Sequence, residues 1–245
     1  MIKKLILLIL LLLPHQKLLA SPINSGISDN NINIDTKFTG TKLLLFGSQG
    51  ESGDIIIAIY GPKKNYVVRK KEKNFGIWYN KKAVRFEDIH SYHAIYTTLD
   101  QVEITNSTLL KKLQIGQENF NFNNQNKLMP EGEKFKIQLI NNLTQKELYG
   151  NKKGEIHFLN ESLFKASVTF PKNIKQGDYL VEIYLIEDDS LMAFQAIPIY
   201  VNQVGFSAQI RQMSKEHEIF YGILAVFLAL IAGFVANFIF NKLLK

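Results

Sequence analysis

The strongest constraint on this chain is an uninterrupted apolar segment near its C-terminus, residues 219–240. The segment contains no charged residue over 22 positions. As an α-helix it would be about 33 Å long, enough to cross a bilayer core of about 30 Å. A helix buried in a soluble core is seldom so long and so uniformly apolar. The sequence therefore predicts one C-terminal transmembrane helix.

The charges that flank this helix predict its orientation. Lys242 and Lys245 follow it directly, whereas the juxtamembrane residues before it, 206–218, carry charges of both signs. Positive charge is enriched in short cytoplasmic segments of membrane proteins. We therefore expect residues 241–245 to form a cytoplasmic tail and the rest of the protein to lie on the opposite side of the membrane.

Small residues recur at every fourth position of the predicted helix, at Ala225, Ala229 and Gly233. At this spacing they share one face of the helix, where a second helix could approach closely. Alanine is also common in membrane helices, so the spacing can arise by chance. Both interpretations stay open: a helix partner in the membrane, or an anchor without one.

The N-terminal segment has the three parts of a secretory signal. Lys3 and Lys4 precede an apolar run at residues 5–13, and Ala20 ends a cleavage site. The apolar run is too short to span a bilayer. We predict a signal peptide over residues 1–20, with its removal left open, and export of the residues that follow. In a bacterium the exported part would be a periplasmic domain held at the inner membrane.

Charge and cysteine content exclude several classes of function. The net charge is +7, but five of the lysines lie in the two terminal segments, which leaves about +2 for the residues between them. That balance is ordinary for a soluble domain, and export argues against a nucleic-acid partner. The chain contains no cysteine, which excludes disulfides, thiolate nucleophiles and Cys-ligated metal sites.

Short segments of β character dominate the residues between the two ends. Alternating or β-branched runs, separated by Gly, Pro, Asn and Asp, predict strands, and many short strands at close spacing are typical of a β-sandwich. We predict strands within residues 31–38, 42–46, 55–60, 66–70, 75–79, 83–86, 94–97, 155–159, 163–170, 179–186 and 191–201. The predicted fold is mainly β: an Ig-like sandwich with helical insertions and one C-terminal transmembrane helix.

The same pattern predicts the organisation of the exported part. Residues 21–30 are small and polar, which favours a loose linker. Residues 31–105 form a first β-rich region and residues 150–205 a second, Ig-like one. Whether they build one domain or two stays open.

A helical insertion, residues 106–149, separates the two β-rich regions. A Ser or Thr cap predicts a short helix over residues 106–113, and helical spacing of apolar residues predicts another over residues 130–148. The Asn- and Gln-rich residues 117–127 between them are predicted to form a loop.

The most unusual polar feature is a basic run with aromatic residues among its lysines. Glu72 is the only acidic residue within residues 63–85. Such a surface could hold an anion, a lipid headgroup or an acidic partner, although lysines along a hairpin also keep its edges from pairing with other strands. A single tryptophan within the run is more typical of a core residue. The candidate residues are Arg69, Lys70, Lys71, Lys73, Trp78, Lys81, Lys82 and Arg85.

Residue types used in catalysis or metal binding form no recognisable motif. His90 and His93 would point to opposite faces of a strand, whereas a metal site needs several converging ligands. Two of the carboxylates in the second β-rich region, Asp188 and Asp189, fall in a predicted hairpin turn. We expect no catalytic residue, no metal and no cofactor. A membrane-tethered enzyme stays an alternative, because catalytic groups can converge without a sequence motif.

Several short motifs resemble those of a known family. The most specific are the Arg-Lys-Lys stretch at residues 69–71 and the Gly-Ile-Trp-Tyr-Asn stretch at residues 76–80. The others are Asp-Ile-Ile-Ile at 54–57, Gly-Pro at 61–62, Ser-Tyr at 91–92, Leu-Phe at 163–164 and Gly-Asp-Tyr at 177–179. Together they resemble the uncharacterised single-pass transmembrane proteins of alphaproteobacteria. The resemblance covers most of the exported part and the anchor, and it implies a periplasmic domain on the bacterial inner membrane. It carries over no functional residues, because the family has no assigned activity.

The leading hypothesis from the sequence is a non-enzymatic accessory or binding protein. It would pair through its membrane helix with an integral membrane partner, such as a transporter, and contact a ligand or partner through the exported domain. A purely structural envelope protein is a further alternative, besides the tethered enzyme.

Overall fold

The structure, a computed structural model, describes residues 22–99, 107–120, 122, 132–153 and 156–243. The predicted signal peptide and its cleavage site lie outside the described residues. Parts of the predicted loop at residues 117–127 lie outside them as well.

Twelve strands and four α-helices occur within the described residues. The strands are β1 (Ile23–Ile27), β2 (Asn31–Ile34), β3 (Gly40–Gln49), β4 (Asp54–Tyr60), β5 (Lys63–Asn74), β6 (Ile77–His90), β7 (His93–Thr97), β8 (Tyr149–Lys153), β9 (Ile156–Phe158), β10 (Leu163–Pro171), β11 (Gly177–Glu187) and β12 (Ser190–Gln203). The helices are α1 (Thr108–Leu113), α2 (Gly132–Gln145), α3 (Phe206–Glu216) and α4 (Glu218–Leu243).

Two sheets enclose the main hydrophobic core. One sheet has the strand order β1-β3-β10-β9, and the other has the order β2-β12-β11-β4-β7-β8. Leu45 and Phe164 of the first sheet and Ile57 and Ile183 of the second are fully buried in one cluster. Each sheet contains strands from both predicted β-rich regions, so the two regions share this core. The fold is mainly β with one C-terminal apolar helix, which confirms the predicted class.

The central strand β4 is buried on both faces. Ile57 faces the core between the sheets, whereas Ile56 belongs to a second cluster with Leu110 and Ile115, in and just after α1. A strand covered on both sides needs apolar residues at every position rather than at alternate ones. This explains the continuous Ile-Ile-Ile-Ala-Ile run that the sequence shows here.

The short helix α1 is fixed at its first turn from two directions. The Ser107 hydroxyl accepts a hydrogen bond from the Leu110 amide at 3.0 Å, which is the predicted cap. The same hydroxyl donates to Asp189, in the turn between β11 and β12, and the Thr108 amide donates to Asp189 at 3.2 Å. The hydrogen bond from Ser107 is the main reason that the pKa of Asp189 is lowered.

One antiparallel ribbon runs out of the sandwich into a long hairpin. Tyr60 lies opposite His93 where β4 pairs with β7, and Lys63 lies opposite His90 where β5 pairs with β6. The register is therefore continuous across the bend between the two parts. At the bend, a Cβ on Gly61 would lie 2.8 Å from Tyr92 Cβ, so this close approach requires glycine. We call β4 with β7 the inner ribbon and β5 with β6 the hairpin.

Only the first half of the hairpin packs against the rest of the protein. Val84 and Phe86 are fully buried in the main core, beside Phe135 of α2. Further along, residues 69–82 are exposed at nearly every position. We call residues 69–82 the outer hairpin.

Two local predictions are wrong, for identifiable reasons. Residues 21–30 are not a loose linker, because they contain β1, which pairs with β3. The strands predicted at residues 66–70, 75–79 and 83–86 are parts of only two strands, β5 and β6. The chain does not turn between the predicted segments 75–79 and 83–86: the ladder shifts register by one residue there, opposite Lys70 and Lys71, and then continues.

Other predicted elements are confirmed, with changed boundaries. The first predicted strand shortens to β2, because Asp35 turns the chain by accepting a hydrogen bond from the Lys37 amide at 2.9 Å. The turn between β11 and β12 falls at Asp188 and Asp189, as predicted. The juxtamembrane segment forms α3, and only His217 lies between the end of α3 and the start of α4.

Candidate functional site

Helix α4 is long and apolar enough to cross a membrane, and it is the one helix of that kind in the part of the chain that the structure describes. It runs without a break over 26 residues. Ala225, Ala229 and Gly233 fall on one of its faces, because helical residues four apart stack above each other. A Cβ added at Gly233 would meet nothing within 4 Å. No described part of the chain therefore covers this face.

The register of the hairpin divides the predicted basic residues between its two faces. Directly opposed residues on paired strands share a face, and neighbours along a strand alternate. Lys73 lies opposite Trp78, while Lys70 lies opposite Lys82. One face therefore carries five of the predicted residues together, and we call it the cationic face: Arg69, Lys71, Lys73, Trp78 and Arg85.

The opposite face of the outer hairpin is partly neutralised. The Glu72 carboxylate accepts from Lys81 Nζ at 2.6 Å and lies 3.2 Å from Lys70 Nζ. The hydrogen bond from Lys81 is the largest cause of the lowered pKa of Glu72. None of the ion pairs found among the described residues involves the cationic face. Its positive charge is therefore uncompensated within that part of the chain.

The tip of the hairpin carries large apolar side chains in water. Phe75 is 96% exposed, Ile77 71% and Trp78 65%. The expectation that the single tryptophan is a core residue is wrong, because the outer hairpin projects past the sandwich and has no core to pack against. Phe75 and Ile77 were not among the predicted site residues, since the sequence places them in a strand of unknown register.

The turn at the tip is unfavourable for its own sequence. Phe75 and Gly76 both have positive φ, 49° and 84°, which suits a two-residue hairpin turn made of Asn-Gly or Asp-Gly. A phenylalanine in this left-handed conformation costs about 1 kcal/mol. Since its ring is almost fully exposed, contacts within the protein do not offset that cost. A strained, exposed aromatic residue points to a role outside the fold.

A second candidate site is a cleft of about 660 Å³ at the bend of the ribbon. Tyr60 and His90 line it from the ribbon, Lys112 from α1 and Glu182 from β11. It holds basic, acidic and aromatic groups together, which suits a small polar ligand. Sequence reasoning missed the cleft, because its walls are far apart in the chain and meet only where the ribbon bends.

The two histidines near this cleft lie closer together than predicted. The rings of His90 and His93 each lie 5.0 Å from the ring of Tyr60. The prediction that they point to opposite faces is wrong, because the chain bends between them at Ser91 and Tyr92. Among the described residues, no group of three or more His, Asp or Glu side chains is arranged to hold a metal ion.

Burial determines the pKa values of His90, His93 and Tyr60. His93 Nδ1 lies 3.3 Å from the Ile59 carbonyl oxygen, and its Nε2 has no hydrogen-bond partner among the described residues. Burial, followed by the nearby His90, lowers the pKa of His93 to about 3. Burial also lowers the pKa of His90 and raises that of Tyr60, to which the charge of Glu182 adds. At neutral pH both imidazoles and the phenol are therefore uncharged.

A β-rich domain joined to one candidate membrane span defines a membrane-anchored protein. The chain belongs to the family described as "Putative transmembrane protein (Alph_Pro_TM)", whose profile matches residues 22–242. This match confirms the resemblance drawn from the short motifs. Neither the curated proteins nor the solved structures contain a match to the chain.

Proposed function

We propose that the protein is a non-enzymatic accessory protein of the bacterial inner membrane. Helix α4 pairs with a helix of an integral membrane partner, such as a transporter, and holds the β-sandwich beside that partner in the periplasm. Residues 241–245 lie at the cytoplasmic side, in keeping with Lys242 two positions after the apolar segment.

The observation that carries this proposal is the uncovered surface of α4. The helix contacts α3 at its start, and its remaining side chains are exposed along its length. An apolar helix gains nothing from the hydrophobic effect by pairing with another in lipid, so pairing needs close backbone approach. The small side chains at Ala225, Ala229 and Gly233 allow such an approach, on a face that the described chain leaves uncovered.

The groups of the cleft support a structural rather than a catalytic role. Glu182 accepts a hydrogen bond from Tyr184, and His90 Nδ1 lies 2.9 Å from the Gly61 carbonyl oxygen. The contact of His90 holds the bend of the ribbon, and Glu182 is engaged by a neighbouring residue of β11. A side chain committed to such contacts is poorly placed to transfer a proton to a substrate.

Affinity purification of the tagged full-length protein from native membranes, in mild detergent, tests this proposal. We expect mass spectrometry to identify an integral membrane protein that co-purifies reproducibly. Replacing Ala225, Ala229 and Gly233 with leucine should abolish the co-purification, because larger side chains keep the helices apart. The matched control replaces Val226, Leu230 and Phe234, on a different face of α4, with other apolar residues and should retain the partner.

A protein that purifies alone, and that crosslinking in the membrane leaves as a monomer, would contradict the proposal. Equal co-purification by the leucine variant and the wild type would also contradict it, since pairing would then not use the small-residue face. Expression level and membrane insertion of each variant serve as the reference for both comparisons.

The cleft favours a second candidate function, the binding of a small polar ligand by the tethered domain. Native mass spectrometry of the full-length protein would then show a bound small molecule. Leu180 lines the cleft and is partly exposed, so a Leu180→Arg substitution should fill the opening and remove the molecule. An unliganded wild type, incubated with extracts of its host, would argue against this candidate.

A further inference from the structure

We propose that the outer hairpin binds the surface of a bilayer that contains anionic phospholipid, with the side chains of Phe75, Ile77 and Trp78 inserted among the headgroups. The hairpin would thus give the protein a second membrane contact, independent of α4. The proposal rests on the tip, on the cationic face and on the place where the hairpin is rooted.

The tip has the composition of a membrane-interface element. Phe75 is the apex, and Ile77 and Trp78 follow after Gly76; all three side chains are largely exposed. Tryptophan and other amphipathic aromatic rings prefer the headgroup level of a bilayer to either water or hydrocarbon. A cluster of large, solvent-exposed apolar side chains marks an interaction site. The turn conformation of Phe75 is unfavourable for an aromatic residue, so the fold itself does not require phenylalanine at the apex.

Charge complementarity selects anionic lipid as the occupant. Arg69, Lys71 and Lys73 lead along one face toward the tip, and Lys73 lies opposite Trp78. No acidic side chain pairs with these three residues within the described chain. A row of flexible cations beside an apolar tip suits a diffuse negative surface, which attracts each charge without requiring fixed geometry. A specific acidic protein site would instead require fixed, paired positions.

The root of the hairpin adjoins the segment that leads into the membrane. Pro62, just before β5, lies against Gly177, where an added Cβ would be 2.9 Å from Pro62 Cγ. The neighbouring Gln176 side chain accepts a hydrogen bond of 3.4 Å from Arg211 Nη1. Arg211 belongs to α3, and only His217 separates α3 from α4. A strand of this length extends about 40 Å. A hairpin rooted beside α3 is therefore long enough to reach the surface of the bilayer that α4 crosses.

The test uses Trp78 as its own reporter, because it is the only tryptophan in the chain. The full-length protein is reconstituted into nanodiscs of phosphatidylcholine, with or without phosphatidylglycerol. We expect the tryptophan emission to shift to shorter wavelength, and to be quenched by brominated lipid, only in the anionic discs. High salt should reverse both effects, because it screens the attraction.

Two variants and their controls separate the charge from the apolar tip. Lys71→Glu with Lys73→Glu should abolish the shift, whereas Lys37→Glu with Lys172→Glu, at exposed sites elsewhere, should leave it intact. Phe75→Ser with Ile77→Ser should weaken the quenching several-fold, whereas Leu159→Ser, at an exposed apolar position outside the hairpin, should not. Thermal unfolding followed by circular dichroism checks that each variant is folded.

Tryptophan emission that is the same in both kinds of disc, and insensitive to brominated lipid, would overturn the proposal. A shift that appears only when a co-purified protein is present would also overturn it, in favour of a protein docking site. Neither result bears on the pairing of α4, which is tested by co-purification and not by tryptophan emission.

Discussion

The inner ribbon and the outer hairpin are two stretches of one antiparallel ribbon, which continues through the Gly61 bend and shifts register twice beyond it, yet they have opposite surroundings. The inner ribbon carries Ile55, Ile57 and Ile59 toward the main core and is covered by α1 on its other face. The outer hairpin is mostly charged and exposed. Backbone pairing is alike in both, so side-chain composition decides which stretch is core and which is available to another surface.

The difference also separates stability from function. Each buried isoleucine of the inner ribbon contributes to folding through the apolar area it removes from water. The exposed residues of the outer hairpin contribute little to folding, and exposed ion pairs such as those of Glu72 are worth at most a small amount. Changes in the two stretches should therefore affect different measurements, and four substitutions test this in order of expected effect.

The largest effect is expected for Ile57→Ala in the inner ribbon. Ile57 is fully buried, so the substitution leaves a cavity and should lower the free energy of unfolding by about 2–5 kcal/mol. Ile77→Ala in the outer hairpin removes the same atoms from an exposed site and should change it by less than about 0.5 kcal/mol. Urea unfolding of the full-length protein in detergent, followed by circular dichroism, measures both. Equal losses would show that the outer hairpin is also part of the folded core.

A pH effect is expected from His93, in the inner ribbon. Its pKa is about 3 in the folded protein, below the value of about 6.5 for an unfolded chain. Between these values the unfolded state binds more protons, so this residue makes stability fall as the pH decreases, by up to about 1.4 kcal/mol per pH unit.

Comparison with His93→Asn isolates this contribution, because the asparagine amide does not titrate and can still donate toward the Ile59 carbonyl. From about pH 6.5 to about pH 4.5 the wild type should lose roughly 2–3 kcal/mol more than the variant. Glu72→Gln, in the outer hairpin, should leave the pH dependence nearly unchanged. Parallel pH curves for His93→Asn and the wild type would contradict the burial of His93 in its neutral form.

The bend between the two stretches should tolerate no side chain at Gly61. The added methyl of Gly61→Ala would lie within 3.0 Å of Tyr92 Cβ, Tyr179 Cε1 and Ser91 Oγ, and should cost about 1–3 kcal/mol. Gly150→Ala, where a Cβ meets nothing within 4 Å, is the matched control and should cost much less. Thermal unfolding compares the two, and a neutral Gly61→Ala would show that the bend is not tightly packed.

The smallest effect has the opposite sign and falls at the tip of the outer hairpin. Phe75→Asn should raise the free energy of unfolding by about 0.5–1 kcal/mol, because asparagine tolerates the left-handed conformation, while it weakens binding to anionic nanodiscs. Asp188→Phe is the converse substitution, because it places phenylalanine in the left-handed conformation. Asp188 has a φ of 48° in a comparable turn, so this change should destabilise the protein. A Phe75→Asn variant that is destabilised would show that the ring packs within the fold.

Much of the fold could be predicted from local patterns in the sequence. The uncharged residues 219–240 predict α4, and the continuous isoleucine run predicts a strand. Strand β1 could not be predicted in this way, because only its end residues, Ile23 and Ile27, are large and apolar and the three between them are small or polar. It is held by pairing with β3. A hydrogen bond of 2.9 Å from Gln195 Nε2 to the Ser25 carbonyl oxygen also holds it, and these two residues are far apart in the sequence.

The candidate sites could be predicted only in part, for a similar reason. The residues of the basic run were identified from composition, but their division between two faces depends on the register that follows the Gly61 bend. The exposure of Trp78 depends on how far the hairpin projects past the sandwich. The meeting of His90 and His93 at Tyr60 depends on the bend itself. These properties arise from contacts between distant parts of the chain.

Hydrogen exchange across the whole ribbon tests the contrast between its two stretches most directly. The full-length protein would be compared in nanodiscs with and without phosphatidylglycerol. We expect slow exchange throughout β4 and β7 in both discs, with fast exchange of residues 69–82 in neutral discs and clear protection of the same residues in anionic discs. Protection of residues 69–82 that is the same in both discs, whether high or low, would contradict it.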